Sequence, residues 1–280
     1  NFYGELMALK KKNYLNNKDL LLEIHRSKSS YCSFMSADEN EYDLILPSLD
    51  KLNRNTISEA RKNRASKIAS RNYEAAKERG EKVKQDQFAI NHLSIEKTDL
   101  VFRVTTFEHI PEEPGRKKNP KNIQDHYVKL NFIPFQHYRL DENDEPYVVG
   151  KSHWVGGMEN GYFSLDHGGM TNKLAKMFMM MCERYGNKWN WRGYTYNDEM
   201  KSQALLQLSQ VGLQFDESKS ANPFAYYTAT ITNSFTRILN TEKKNQNIRD
   251  DMLEMNGYNS SFGRQQKAHD KWKEDTGQQT

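Results

Sequence analysis

The sequence predicts a mainly α fold, a helical domain with an inserted segment that is partly β. Three observations lead there. Between 166 and 250, three stretches repeat apolar residues at helical spacing behind recognisable start signals. Between 100 and 150, apolar and polar residues alternate instead. Residues 54–84 form a long, charged, alanine-rich run of helical character. The expected organisation is a leader and helix at 1–35, an insert at 36–165, the helical domain at 166–250 and a polar, flexible tail at 251–280.

The leader carries NYLNNKDLLLEI, from Asn13 to Ile24, and passes into a region rich in Ser, Asp and Glu. The run RNTISEARKNRASKIASRNYEAAKERGEKVK follows, from Arg54 to Lys84, and its few apolar residues are mostly alanine. Such a helix buries little surface, so it is expected to lie along a partner or to stay solvated, with DNA phosphate contact as the sharper alternative. Leu100 to Phe107, Tyr127 to Tyr138 and Tyr147 to Val149 then read as strands, with a turn at Asp141-Glu142-Asn143-Asp144 and a loop from Pro111 to Pro120. A small antiparallel sheet is the expectation.

Three helices close the sequence's patterned part. Thr171 or Asn172 can cap Lys173 to Tyr185, with Leu174, Met177, Phe178, Met181 and Cys182 on one side and Gly186 at the end. The loop after it holds Trp189, Trp191, Arg192 and Tyr194: either the tryptophans lock helices together, or an exposed Trp191-Arg192 pair touches DNA or a protein partner. Asn197 can cap the next helix, whose first turn holds Asp198 and Glu199 and which stops at Gly212. Met200, Ala204, Leu205, Leu208 and Val211 give it a core stripe, leaving a second face of Glu199, Ser202, Gln203, Leu206, Gln207 and Gln210. Glutamines around one leucine suit a docking surface, because they form hydrogen bonds without the desolvation cost of charges; a plain solvated face has the same composition.

The last helix opens with Asn222-Pro223, a capping side chain followed by the residue whose fixed backbone angle suits the first helical position. Phe224, Tyr227, Thr228, Ile231, Phe235 and Ile238 form its core stripe. Tyr226, Thr230, Asn233, Arg237, Thr241 and Lys244 fall opposite, and Lys243, Lys244 and Arg249 extend the positive track. A stacking ring, side chains able to meet base edges and cations for phosphates follow one another along that face, which suits a nucleic-acid strand. Tyr226 is the aromatic expected to be exposed.

The stretch YTYNDEM…ALLQLSQVGLQFDESKSANPFAYYTATITNSFTRILNTEKK resembles region 2 of bacterial sigma factors, most closely the late-transcription sigma factors of T-even-type and cyanophage-like bacteriophages. The leader NYLNNKDLLLEI looks like the opening segment of the same phage family. The resemblance implies a sigma region 2-like fold, host core RNA polymerase as partner and the cytoplasm of the infected bacterial host as location. It implies docking on the clamp coiled coil of the polymerase's largest subunit through Glu199, Ser202, Gln203, Leu206, Gln207 and Gln210. It also implies promoter DNA contact at a short A/T-rich upstream element, with Phe224 and Tyr227 where the family's aromatics sit; the helix face read above adds Tyr226, Thr230, Asn233, Arg237, Thr241, Lys243, Lys244 and Arg249 to the expected DNA contacts. Thr230 and Ile231 stand where housekeeping factors carry a tryptophan pair, so strand opening is expected to need help. A phage sliding clamp or coactivator is a further partner the family implies; the family's clamp motif is hydrophobic and acidic, whereas this chain ends HDKWKEDTGQQT with Trp272 as anchor.

Composition fits this and excludes other classes. The chain has 280 residues, 28% of them charged, with a net charge of +4, and a mean hydropathy of -0.95. No apolar stretch is long enough to span a membrane, and no signal peptide is apparent. The first residue is Asn rather than Met, so trimmed ends are expected. Cys32 and Cys182 lie far apart, in keeping with a reducing compartment. His92, His109, His126, His137, His153 and His167 follow no metal-ligand spacing, and Gly150-Lys151-Ser152 lacks the upstream glycine of a phosphate loop. No catalysis, metal or cofactor is expected. The alternative to a sigma factor is a basic structural DNA-binding protein with a sigma-like helical domain and no role in initiation.

Overall fold

The computed structural model describes residues 15–111 and 130–276. Most of the expected loop from Pro111 to Pro120, the start of the expected strand at Tyr127, His126, the first fourteen residues of the leader and the last four of the tail lie outside the described residues. The fold is mainly α with a minor sheet: six α-helices and seven short strands among the described residues. The chain divides into two compact units, one of Asn1–Met179 with Ser209–Tyr227, the other of Met180–Leu208 with Thr228–Thr280.

In the first unit, α1 spans Asn17–Ser29, and the Asn16 side chain accepts a hydrogen bond from the Asp19 amide at its start. The sheet holds β1 (Cys32–Phe34), β2 (Leu44–Leu46), β3 (Phe102–Thr105), β4 (Phe135–Leu140) and β5 (Pro146–Ser152) in the order β1-β5-β4-β3-β2. Three pairings are antiparallel, but β2 runs parallel to β3, so the sheet is mixed rather than the antiparallel one expected. The parallel strand arises because β2 reaches β3 through a long crossover that contains α2 (Arg54–Glu78), and no hairpin can join parallel neighbours. The Asp141 carboxylate accepts from the amides of Asn143 and Glu145, which fixes the turn between β4 and β5 where the sequence placed it. A separate ribbon pairs β6 (Trp154–Val155) with β7 (Tyr162–Phe163).

Of the two outcomes expected for α2, a partner or a solvated rod, the helix takes the first, and its partner lies within its own chain. Ala60 and Ala65 pack with Leu46, Leu100, Phe102, Val104, Tyr138 and Leu140. Its scarcity of large side chains is what lets its backbone approach the sheet closely. The alternation along β3 sends Phe102 and Val104 into that core and Arg103 to the opposite face, where its guanidinium meets the ring nitrogen of His25 on α1.

Helices α3 (Asn172–Gly186), α4 (Asn197–Val211) and α5 (Pro223–Met255) contribute to both units. Thr171, of the two candidates, caps α3, its hydroxyl accepting from the Leu174 amide at 3.2 Å. The expected α3 stripe of Leu174, Met177, Phe178, Met181 and Cys182 is buried throughout. A Cβ at Gly212 would lie 2.6 Å from the Phe178 ring, so glycine is needed there for close packing as well as for ending α4. In the second unit, the Tyr185 and Trp191 rings pack edge-on against Phe235, and the Tyr185 hydroxyl bonds that of Thr232 at 2.7 Å.

The described part of the tail, expected to be flexible, is largely helical. After α5 the chain turns at Gly257, in the left-handed region at φ +76, and forms α6 from Phe262 to Thr276. Asp250 on α5 accepts from the amide and hydroxyl of Ser261, at 2.9 and 2.7 Å, and Arg264 pairs with Asp251 and Glu254. These tethers depend on residues 10 to 13 positions apart, which a reading for apolar periodicity does not detect.

Candidate nucleic-acid interface

Helix α5 builds the site. The Asn222 side-chain oxygen accepts from the Ala225 amide at 3.1 Å, so the expected cap forms, with Pro223 as the first helical residue. Tyr227, Ile231 and Phe235 are buried at spacings of four, which turns the opposite face outward. On that face, Asn233, Arg237 and Thr241 are exposed and line a shallow depression of about 490 Å³ together with Thr236, Asn240 and Lys244. The Thr241 hydroxyl donates to the Arg237 carbonyl, leaving its lone pairs outward. Lys243, Lys244 and Arg249 are exposed too. Between Pro223 and Arg249 the helix carries four cations and a single carboxylate, Glu242, which receives the Asn245 amide. A helical face of this make-up attracts a polyanion and offers it amide and hydroxyl groups.

The aromatic part of the expected site is corrected. Tyr227 lies in the core of the first unit: its hydroxyl donates to the Gly212 carbonyl at 2.7 Å and its ring meets Phe178 edge-on at 4.7 Å. Burial raises its hydroxyl pKa. A contact to DNA from this ring would require emptying the core. Tyr226 was expected to be the exposed aromatic, yet it is half-buried, with its ring against Phe215 and its hydroxyl 3.4 Å from the Val211 carbonyl. Phe224, assigned by periodicity to the core, is the exposed ring, at 41%. It sits in the first turn of the helix, one residue after the buried Pro223. Its amide donates to the Asn17 side chain of α1. Thr230 is half-buried.

On α4, Met200, Ala204 and Leu208 are fully buried and Leu205 and Val211 partly so, as the stripe required. Asn197 does not cap this helix. Its side-chain nitrogen donates to the carbonyls of Gly186 and Trp191, both at 3.0 Å, tying down the preceding loop. Of the expected docking residues, Glu199, Ser202 and Gln210 are exposed, Gln203 and Gln207 half-buried, and Leu206 is 50% exposed. The Ser202 hydroxyl turns back to the Asp198 carbonyl at 2.8 Å, so it is partly used within the helix.

Sequence reasoning missed Thr236 and Asn240, which widen the stripe on either side of Arg237. Their spacing of three from Asn233 and Arg237 was the available signal. Among the described residues no group of His, Cys, Asp and Glu has the arrangement of a metal site, and no helix is long and apolar enough to cross a membrane. Comparison with protein-family models, curated proteins and solved structures returns no match.

Proposed function

We propose that this chain is a phage-encoded sigma factor that binds host core RNA polymerase and directs initiation at late promoters through a short A/T-rich upstream element. The observation that carries the reading is the α5 face from Asn233 to Lys244, polar and basic along one side while Tyr227, Ile231 and Phe235 anchor the other. The exposed part of α4 around Leu206 supports polymerase docking, since a half-exposed leucine ringed by polar side chains suits a protein partner. The resemblance of α4 and α5 to sigma region 2 supplies the identity of that partner as the clamp coiled coil of the largest subunit, and the host cytoplasm as the compartment. Promoter contact then rests on Asn233, Arg237, Thr241, Lys243, Lys244 and Arg249, with Phe224 as the ring available to an unstacked base. Tyr227 is left out of this set.

The test is a pull-down of the purified chain with host core polymerase, followed by transcription from an A/T-rich late-type promoter. Binding with specific initiation is the expected result. Failure to bind the correct host's core, with DNA binding retained, assigns the α5 face to a structural DNA-binding protein instead.

A further inference from the structure

The segment Asn187–Tyr196, between α3 and α4, contains Lys188 and Arg192, four aromatic residues and no Asp or Glu. The structure divides those aromatics sharply. Trp191 is buried, 5.4 Å from Phe235 and 6.2 Å from Tyr185, and Tyr194 packs on Trp191 and Tyr196. Trp189, two residues away, is 83% exposed. It does not sit on a loose tether. The Lys188 amide donates to the Tyr185 carbonyl, the amides of Trp191 and Arg192 both return to the Lys188 carbonyl at 2.9 and 3.0 Å, and the Asn197 side chain holds Gly186 and Trp191 from the far side. The indole thus projects from a hydrogen-bonded turn, so a partner that covers it orders little additional backbone.

The charges beside it indicate what the partner is. Lys188 and Arg192 are exposed, the Lys188 ammonium 4.2 Å from the centre of the Tyr185 ring. The nearest carboxylates in sequence, Glu183 and Asp198, are both engaged by Lys201. An exposed ring on a hydrogen-bonded turn, flanked in sequence by two exposed cations and with no carboxylate in the turn, matches the way single-stranded nucleic acids are held: a base stacks on the ring and phosphates meet the cations, with little preference for sequence. We infer that the Asn187–Tyr196 turn is a single-strand contact built on Trp189, Lys188 and Arg192, separate from the α5 face. It needs neither polymerase docking nor promoter recognition, and shares with the function proposed above only the class of ligand.

The test uses the full chain without polymerase and follows fluorescence anisotropy of a labelled oligothymidylate strand. W189A weakens binding about tenfold, as loss of a stacking ring does, while W189F keeps most of it. R192A lowers the slope of log affinity against log salt by about 0.7, one phosphate contact on a single strand. R237A/K244A is measured alongside. If W189A binds as wild type does while R237A/K244A is weakened, the turn proposal falls and the α5 reading stands. If W189A alone is weakened, the turn stands and the α5 face takes no part in single-strand binding, its own test remaining the promoter complex. No binding of the strand by the wild-type chain, or loss of core-polymerase capture by W189A with strand binding intact, overturns the proposal.

Discussion

Glu217 illustrates how much one residue of the first unit carries. Its carboxylate takes the Lys28 ammonium at 2.6 Å, Lys28 also donates to the Phe215 carbonyl, and the Arg103 guanidinium lies 3.9 Å from the second oxygen. Lys28 and Arg103 are nearly fully buried. Arg103 is sandwiched at 3.9 Å between the Tyr42 and Phe135 rings and donates from Nε to the Nε2 of His137, which must then be neutral and give its Nδ1 proton to the Glu39 carbonyl. Glu217→Ala strands two cations away from water and should cost about 3–5 kcal/mol, measured as a shift in urea unfolding. The double substitution Lys28→Met with Glu217→Leu should recover part of the loss, because an apolar pair leaves only Arg103 without a counter-charge. Tyr227→Phe is the smaller test at this scale. Loss of the bond to Gly212 should cost about 1 kcal/mol of stability and leave nucleic-acid affinity unchanged, as expected for a ring that belongs to the core.

At the scale of the element, α4 and α5 should separate two losses. Arg237→Ala removes an exposed side chain and should weaken a promoter complex about tenfold while core-polymerase capture holds; equal loss of both would mean a damaged fold. Leu206→Asp should do the reverse, lowering core binding at least tenfold, about the loss expected of an interface anchor, with an unchanged unfolding curve. These helices were legible because their signals are local. Asn222-Pro223 and the recurrence of Tyr227, Ile231 and Phe235 lie within four turns of one another. Their failures were local too: periodicity cannot tell that Phe224 stays exposed while Tyr227, one turn on, is buried, or that the Asn197 amide is drawn to Gly186 and Trp191. The sheet was only half legible. β1 and β2 are three residues each, too short to alternate visibly, and their pairings join Cys32 to Ser152 and Leu44 to Phe102 across long separations. Of the two tryptophans in the loop after α3, the sequence offered Trp191 with Arg192 as the exposed pair, but Trp191 is buried against Phe235 and Trp189 is the ring that faces outward.

At the scale of the whole molecule, the first unit makes the protein acid-sensitive. Burial pushes His25 down to about 3, with Arg103, Lys67 and Lys28 adding to the effect. Burial likewise lowers His153 to about 3, with His109 and His167 nearby, and His109 to about 4, where the Ser152 carbonyl opposes the shift and Lys151 adds to it. His137, enclosed beside Arg103, lies well below its usual value. Each of these rings is neutral in the folded chain at pH values where the unfolded chain would protonate it, below about 6.5. The unfolded state therefore binds more protons between those limits, and stability rises with pH across that window and falls as pH drops through it. From pH 7.5 to 5.5 each histidine should remove about 1 kcal/mol, read as a falling urea midpoint. His153→Asn isolates one contribution. His153 sits at φ 54, in the left-handed region, where asparagine is among the residues best tolerated. The variant should start from lower stability, since it loses the packing of His153 on Phe132 at 4.3 Å, but its midpoint should fall less steeply with acid than that of the wild type. Equal slopes would show that His153 is not held neutral by the fold, and a midpoint that rises toward pH 5.5 would contradict the account for all four.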